Sequence, residues 1–354
     1  MNEKKCPKCE VLPELPKDPV KIYIYTEIDF LRSKLIERFQ KKSVKFRIEG
    51  SIIISDDQDI REFLGLIKSM EFSPPEQEEI KLCYAEEEES IFSIIPRFKP
   101  LNYWLSRILH EEYIEILRDN RLTIHFHPIV NLVERRVFGY ECLIRGVKKN
   151  GELIYPNYLF KAAVETGTLF YLDRSCREKA IKTSAVKGLK EFKVFINFLP
   201  TAIYDPNFCL QNTVKWAYQL EWNPNNLVFE VVESEKVQDL NHLSQILDYY
   251  REHGFLVALD DVGTGYSSLD ALIKLYPDFI KISRELIEGI DQSDLKRDLV
   301  DSLVKAARKN NIKVIAEGVE RRSEAEILAH LGVELMQGYL FAKPNPEPIL
   351  EIAF

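Results

Sequence analysis

Apolar residues follow two successive patterns along this chain. From residue 20 to about residue 85, short apolar runs alternate with segments of helical spacing. The runs at 20–24, 44–48, 51–54 and 80–84 predict strands, and the segments 28–39 and 60–70 predict helices. This β-α-β-β-α-β order is typical of a small α+β domain of the ferredoxin-like type.

The second pattern begins near residue 122. From there, eight apolar runs alternate with helical stretches over about 230 residues. The predicted strands are 124–130, 137–144, 194–199, 228–232, 255–259, 279–282, 314–316 and 335–341. This size and alternation favour an α/β fold of the (β/α)8 TIM-like barrel type. A doubly wound open sheet has the same periodicity and stays an alternative.

Together, these patterns predict four segments of the chain. Residues 1–19 contain several prolines and should form an irregular tail, and residues 20–98 should form the small α+β domain. Apolar residues at helical spacing predict one connecting helix within 99–120, and the barrel should occupy 121–354.

Composition excludes several classes of protein. The 354 residues carry a net charge of -8, which argues against a nucleic-acid polymer as partner because phosphate backbones are held by basic patches. Six irregularly spaced cysteines do not form a secreted disulfide framework. The first residues lack the apolar core of a signal peptide, and no apolar run is long enough to span a membrane. We therefore expect a cytoplasmic protein.

One pair of cysteines has metal-ligand spacing. Cys6 and Cys9 form a CxxC motif in the tail, which supplies two of the four ligands of a tetrahedral zinc site. Cys83, a histidine or a second subunit would have to supply the others. Two thiols on a tail, without metal, are the simpler interpretation.

Candidate chemistry is densest at Asp260 and Asp261, which end an apolar run and precede the turn Gly263-Thr264-Gly265. Ligands of α/β proteins bind at the carboxyl edge of such strands. Two adjacent carboxylates there require a cation or a proton to offset their repulsion. Alternatively, Asp261 is only a helix cap.

Polar residues recur at the ends of the other predicted strands, where an isolated carboxylate would be destabilising. They are Glu141, Asn197, Glu230, Asp260, Asp261, Glu317 and the cation Lys281. Carboxylate and amide oxygens suit Mg²⁺ or Mn²⁺. Two ions about 4 Å apart would balance this charge and activate a water, so the set favours phosphodiester hydrolysis.

These residues stand in motifs that resemble the EAL domain of bacteria, a cyclic di-GMP phosphodiesterase module. The resemblance runs from about residue 112 to residue 354. Its blocks, in order, are Glu141-Cys142-Leu143 within GYECLIR, Phe195-Ile196-Asn197, FEVVE at 229–233, DDVGTGYSSL at 260–269, Asp278-Phe279-Ile280-Lys281-Ile282, Glu317-Gly318-Val319-Glu320 and Gln337-Gly338-Tyr339. No cyclase signature of the GGDEF type precedes them.

The resemblance implies a barrel whose first strand is antiparallel, and hydrolysis of cyclic di-GMP with Mg²⁺ or Mn²⁺ as two ions. By position, Glu141, Asn197, Glu230 and Asp260 would bind one ion, and Asp260, Asp261 and Glu317 the second. Lys281 and Glu317 would be catalytic, and Glu233 would order the loop after the fifth strand. The residues His127, Leu143, Arg145 and Gln337 would contact the dinucleotide.

Four residues depart from the family pattern. Cys142 replaces alanine, Val262 replaces phenylalanine, Ser283 replaces an aspartate, and His127 replaces a glutamine. These changes bear on affinity and rate more than on the reaction itself.

Alternatives to an active enzyme remain. Ser283 and His127 are the residues that favour a catalytically silent cyclic di-GMP receptor, and an unrelated metal-dependent barrel hydrolase requires the block order to be coincidence. By analogy with the family, the amino-terminal domain would sense a signal or mediate assembly, and the chain would form a homodimer.

Overall fold

A computed structural model of the chain describes residues 6, 8–17, 19–85, 89–232, 239–263 and 268–352. The chain divides into two compact units. The first comprises Met1–Asn120 and Asn157–Leu169, and the second comprises Arg121–Pro156 and Phe170–Phe354. No described helix combines the length and the apolar character that crossing a membrane requires.

The first unit is built on a five-stranded antiparallel sheet. Its elements are β1 (Val20–Tyr25), α1 (Asp29–Lys41), β2 (Arg47–Glu49), β3 (Ile52–Gln58), α2 (Ile60–Lys68), α3 (Pro74–Glu79), β4 (Lys81–Ala85), α4 (Ile91–Ile94) and β5 (Lys99–Pro100). The strand order β2-β3-β1-β4-β5 contains the split β-α-β arrangement. Leu35 and Phe39 of α1 and Phe63 and Leu64 of α2 are buried in its core. The predicted small α+β region is therefore confirmed.

The prediction of one connecting helix within residues 99–120 is wrong, because the structure has two helices there. These are α5 (Leu101–Leu109) and α6 (Glu111–Arg118), separated by His110 with φ -108° and ψ 31°. The two ring nitrogens of buried His110 lie 3.0 Å from the Tyr158 hydroxyl and 2.5 Å from a Glu165 carboxylate oxygen. His110 therefore combines non-helical dihedral angles with buried polar contacts, which apolar spacing does not reveal.

The second unit contains a closed barrel with helices between its strands. Its strands are β6 (Leu122–Asn131), β7 (Arg136–Val147), β8 (Leu153–Ile154), β9 (Lys193–Phe198), β10 (Leu227–Val232), β11 (Leu256–Val262), β12 (Phe279–Ile282), β13 (Lys313–Ala316) and β14 (Leu335–Met336). Apart from Pro156, α7 (Pro156–Thr166) belongs to the first unit. The helices of the second unit are α8 (Leu169–Val186), α9 (Pro206–Cys209), α10 (Gln211–Gln219), α11 (Leu240–Glu252), α12 (Ser268–Leu275), α13 (Arg284–Ile287), α14 (Asp294–Lys309) and α15 (Arg322–His330).

Pairing of β6 with both β7 and β14 closes the barrel, so the open-sheet alternative is excluded. The order around the barrel is β6-β7-β9-β10-β11-β12-β13-β14, and β8 pairs with β7 outside it. β6 is antiparallel to both neighbours, and the remaining barrel pairs are parallel. The expected barrel with an antiparallel first strand is confirmed.

The last strand is shorter than its apolar run, which predicted residues 335–341. It ends at Met336, and the backbone N–H of Gln337 then donates to the Ala316 carbonyl oxygen across 2.8 Å. Gly338 follows so close to the backbone of Val319 that a Cβ atom there would overlap the Val319 carbonyl oxygen. The chain turns at this close approach.

The barrel interior consists of an apolar layer below a polar one. The buried apolar layer contains Ile129, Phe195, Val228, Ala258, Phe279, Ile315 and Leu335. Residues two positions away lie on the same face of a strand. The residues two positions from the members of the apolar layer, toward the same edge of the barrel, are polar: His127, Asn197, Glu230, Asp260, Lys281, Glu317 and Gln337. The apolar layer therefore supports a polar layer at the carboxyl edge of the parallel strands.

Candidate metal-binding active site

Lys281 is the centre of the polar layer. Its Nζ atom lies 2.6 Å from Glu317, 2.8 Å from Glu230, 3.4 Å from Glu141 and 3.5 Å from Asp260, measured to the nearest carboxylate oxygen. Lys281 comes from β12, and the four acids come from or directly follow other barrel strands. Closure of the barrel thus brings together residues that are far apart in sequence.

Burial and mutual repulsion perturb the titration of these groups. Burial raises the pKa of Glu230 well above its usual range, although nearby Lys281 opposes the shift. Burial also raises the pKa of Glu317, to about 8. For Lys281, burial acts to lower the pKa, but Asp260, Glu141 and the other acids outweigh it and raise the pKa well above the usual value. The lysine is therefore held as a cation.

Two amides fix the carboxylate of Glu141. The Nδ2 atom of Asn197 donates to Oε1 across 3.1 Å, and the Nε2 atom of Gln337 donates to Oε2 across 2.9 Å. Burial acts to raise the pKa of Glu141, but the charge of Lys281, together with these hydrogen bonds, outweighs it and lowers the pKa. Glu141 is consequently an ionised carboxylate in one orientation.

A β-bulge allows Asp260 and Asp261 to face the same centre. The register between β11 and β12 shifts between Leu259 and Val262, and Asp261 has φ +55°, in the left-handed region. Adjacent residues of a regular strand would point to opposite faces, whereas a bulge redirects one of them. Oxygen atoms of Asp260, Asp261 and Glu317 accordingly lie within 4.8 Å of one another.

The donor set fits hard divalent cations. Asp260, Asp261 and Glu317 supply carboxylate oxygens within ligating distance of a shared centre. The carboxylate of fully buried Glu230 has the Lys281 ammonium at 2.8 Å, and its oxygens have no further hydrogen-bond partner among the described residues. A buried carboxylate with so few polar contacts is destabilising, and cation binding would offset that destabilisation.

One wall of the site is formed by the antiparallel pair β6–β7. His127 pairs with Glu141 across the two strands, and the same face of β7 carries Leu143 and Arg145. The Nε2 atom of His127 is buried without a hydrogen-bond partner in the described part of the chain, and burial lowers the pKa of this histidine. Arg145 is buried, and its Nη1 donates to the Ile144 carbonyl oxygen across 2.8 Å.

The remaining predicted features of the site are the loop after the fifth strand and the positions that depart from the family pattern. Glu233 and residues 264–267 of the turn after β11 lie outside the described residues. Val262 is buried beside Ile282, and the buried Oγ atom of Ser283 has no hydrogen-bond partner among the described residues. Cys142 is also buried, 3.4 Å from the Ser184 hydroxyl.

The cysteines of the tail do not join a metal-ligand cluster within the described residues. Cys6 and Cys9 are buried, and neither forms a disulfide. Across the described ranges, the one group of three or more potential acidic, histidine or cysteine ligands is Asp260, Asp261 and Glu317.

Sequence reasoning missed a buried ion pair that supports the site. The Oδ1 atom of Asp173 accepts the Leu199 backbone N–H across 2.9 Å, while Oδ2 accepts from Arg177 Nη2 across 2.8 Å. Leu199 follows Asn197 by two residues, so this pair anchors the chain just beyond a candidate ligand. Opposite charges at helical i,i+4 spacing in α8 are the available signal, but they more often mark an exposed pair.

The described geometry agrees with comparisons to known proteins. The EAL domain model matches residues 110–344. The cyclic di-GMP phosphodiesterase NbdA of Pseudomonas aeruginosa is 30% identical over 249 residues, covering 69% of this chain and 31% of NbdA. The probable cyclic di-GMP phosphodiesterase PdeG of Escherichia coli is 31% identical over 237 residues, covering 65% and 46%. The chain thus spans less than half the length of these two relatives.

Solved structures match as well. A standalone EAL protein from Vibrio cholerae O395, in its c-di-GMP-bound form, is 37% identical with a TM-score of 0.59, covering 66% of this chain and 95% of that one. The PaMucR phosphodiesterase in complex with c-di-GMP is 26% identical with a TM-score of 0.61, covering 67% and 97%. A manganese and cyclic di-GMP complex of Klebsiella pneumoniae BlrP1 is 20% identical, covers 93% and 96% with a TM-score of 0.58, and shows the likeness of fold alone.

Proposed function

The chain belongs to the EAL domain family, and on that premise we propose that it hydrolyses cyclic di-GMP to the linear dinucleotide pGpG. The observation that carries this proposal is the buried set around Lys281, in which four carboxylates lie within 4.0 Å of one ammonium group. The family's ligand positions are all occupied by oxygen donors in this chain.

Two divalent cations, Mg²⁺ or Mn²⁺, fit this donor set. Glu141, Asn197, Glu230 and Asp260 would hold one, and Asp260, Asp261 and Glu317 the other. Bound cations of this kind polarise phosphoryl oxygens and lower the pKa of water. The bulge at Asp261 supports the division of roles, because it allows neighbouring carboxylates to serve one centre.

The reacting groups of the protein are Lys281 and Glu317. The Lys281 ammonium lies within 4.0 Å of four carboxylates, so it would stabilise the developing negative charge of the attacking water or of a phosphoryl oxygen. A cation bound at Glu317 would favour its ionised form, and this carboxylate would then accept the proton that the water loses. A P–O bond to the attacking oxygen forms as the bond to the sugar 3′-oxygen breaks, and that oxygen takes up a proton to give pGpG.

A receptor that binds cyclic di-GMP without hydrolysing it is the second candidate. It is favoured by Ser283, whose buried hydroxyl has no described hydrogen-bond partner and stands where family members carry an aspartate. The lost negative charge would weaken the positioning of nearby Lys281. This candidate requires tight binding without turnover.

Chromatography of cyclic di-GMP incubated with the protein and Mn²⁺ tests the proposal. Wild-type protein should release pGpG, and Glu141→Ala should release none because a metal position loses its carboxylate. Glu134→Ala is the matched control, since Glu134 is an exposed glutamate in the turn between β6 and β7. Calorimetric binding without any linear product after hours would select the receptor.

The wider organisation is also a proposal. We infer that residues 20–98 form a sensory or interaction domain, that residues 121–354 form the phosphodiesterase barrel, and that the chain acts as a cytoplasmic homodimer. Light scattering during size-exclusion chromatography would contradict the dimer if it gave a monomer mass at micromolar concentration. Cell fractionation tests the location.

A further inference from the structure

We propose that Tyr155 is a stacking residue for one purine base of the cyclic dinucleotide. This inference rests on the proposed function, and it adds a specificity-determining residue beyond the metal ligands. Tyr155 lies outside every block that carries the family resemblance, so that resemblance assigns it no role.

The contact with Arg145 places Tyr155 at the site. The centre of the Arg145 guanidinium lies 4.9 Å from the centroid of the Tyr155 ring. Arg145 is only 7% exposed, whereas Tyr155 is 60% exposed. A buried cation thus covers part of an aromatic ring that otherwise faces solvent, and a cation–π contact of this kind fixes the ring in place.

The position of Arg145 relative to Glu141 fits a base rather than a phosphate. Both residues lie on one face of β7, and a strand rise of about 3.3 Å per residue separates their Cα atoms by about 13 Å. In each nucleotide the sugar separates the base from the phosphate. With a phosphate at the Glu141 end, a base directed along β7 would reach the Arg145 and Tyr155 end.

The chemistry of this corner suits a purine. An exposed aromatic ring offers a flat face to any base, and stacking on it is a major source of affinity for nucleotides. The Nε atom of Arg145 is buried and has no hydrogen-bond partner in the described part of the chain. It would donate to an acceptor atom on the base edge once the side chain shifts enough to expose it.

Calorimetric titration with cyclic di-GMP in the presence of Ca²⁺ tests the inference directly. Tyr155→Ala should raise the dissociation constant about 5- to 150-fold, the loss expected for one stacked base. Tyr155→Phe should bind like the wild type because it keeps the ring. Tyr218→Ala is the control, since Tyr218 is another exposed tyrosine, near the end of α10, and it should have no effect.

A second measurement separates stacking from structural damage. Bis(p-nitrophenyl) phosphate is a phosphodiester without a purine, so Tyr155→Ala should hydrolyse it at the wild-type rate. With cyclic di-GMP the same variant should show a raised KM and a nearly unchanged kcat. Equal losses on both substrates would overturn the inference.

The two proposals fail in different ways. A wild-type protein that binds cyclic di-GMP and hydrolyses neither phosphodiester contradicts the proposed function, and the binding comparison still decides the role of Tyr155. Unchanged affinity in Tyr155→Ala contradicts the stacking role while turnover by the wild type stands. Absence of binding by the wild type contradicts both.

Discussion

The side-chain amide of Gln337 donates a hydrogen bond to the carboxylate of Glu141, with 2.9 Å between Nε2 and Oε2. Gln337 is 1% exposed. The family resemblance assigns this glutamine to the dinucleotide, whereas its contact in this structure orients a candidate metal ligand. Groups that orient a metal ligand act mainly on the affinity for the metal and only indirectly on the affinity for the substrate.

Replacing Gln337 should therefore weaken metal activation. In Gln337→Ala, the Mn²⁺ concentration for half-maximal turnover should rise about 10- to 100-fold, and saturating Mn²⁺ should restore most of the rate. Metal titrations of activity measure this, with exposed Gln245→Ala as the control. A higher KM for cyclic di-GMP with unchanged metal dependence would instead place Gln337 at the dinucleotide.

Removing the central cation should destabilise the metal-free protein. In Lys281→Met, the surrounding carboxylates lose their shared counter-charge, and breaking such a buried set is destabilising by about 3–5 kcal/mol. Thermal unfolding after EDTA treatment should give a lower Tm, and added Mn²⁺ should narrow the difference from wild type. Lys305→Met is the control, because Lys305 pairs with Asp301 on the exposed surface. Equal Tm values for both variants would contradict the role of Lys281.

The raised pKa of Glu317 predicts how the stability of the metal-free protein depends on pH. This pKa is about 8 in the folded protein and about 4.3 in an unfolded chain, so the folded state binds the extra proton between these values. The contribution of Glu317 is fully present below about pH 4 and falls as pH rises toward 8. Glu317→Gln lacks this titration and should gain stability relative to wild type over that interval.

Urea unfolding of EDTA-treated wild-type and Glu317→Gln protein, measured from pH 5 to pH 9, would show this difference. The two free energies of unfolding should diverge as pH rises and then run parallel above pH 8. A constant difference across the whole interval would mean that Glu317 titrates normally.

The bulge at Asp261 allows backbone geometry to be separated from charge. Asparagine tolerates φ +55°, so Asp261→Asn should keep the Tm within a few degrees and lower the affinity for Mn²⁺. Asp261→Val should lower the Tm as well, because a β-branched residue is strained at positive φ. Thermal unfolding and metal titration of the two variants measure these effects. Normal Mn²⁺ affinity in Asp261→Asn would exclude this carboxylate as a ligand.

The sequence predicted the eight barrel strands and three strands of the first unit, because burial imposes a period on each apolar run. It did not predict β5 or β8, and the run at 44–48 only partly coincides with β2, which is exposed at all three of its residues. It did not predict the bulge at Asp261. The bulge follows the apolar run and does not change its pattern, so it is seen only in the register of β11 against β12. Nor did it predict the break at His110, whose side chain contacts Tyr158 and Glu165 far along the chain.

The sequence also indicated one part of the candidate site and not another. Acidic residues at strand ends indicated a metal centre, and barrel closure explains why they meet around Lys281. Tyr155 gave no such signal, because a single tyrosine before a proline has no period and no motif. Its position became visible only through the contact with Arg145.

The reversed direction of β6 has a topological consequence. Leu122, at the start of β6, pairs with Gly146, beyond Arg145 at the carboxyl end of β7. The chain therefore enters the barrel at the rim that carries the polar layer, whereas the first strand of an all-parallel barrel would begin at the opposite rim. The strand that contains His127 is therefore the first segment of the barrel in chain order, and its first residues already lie at this rim.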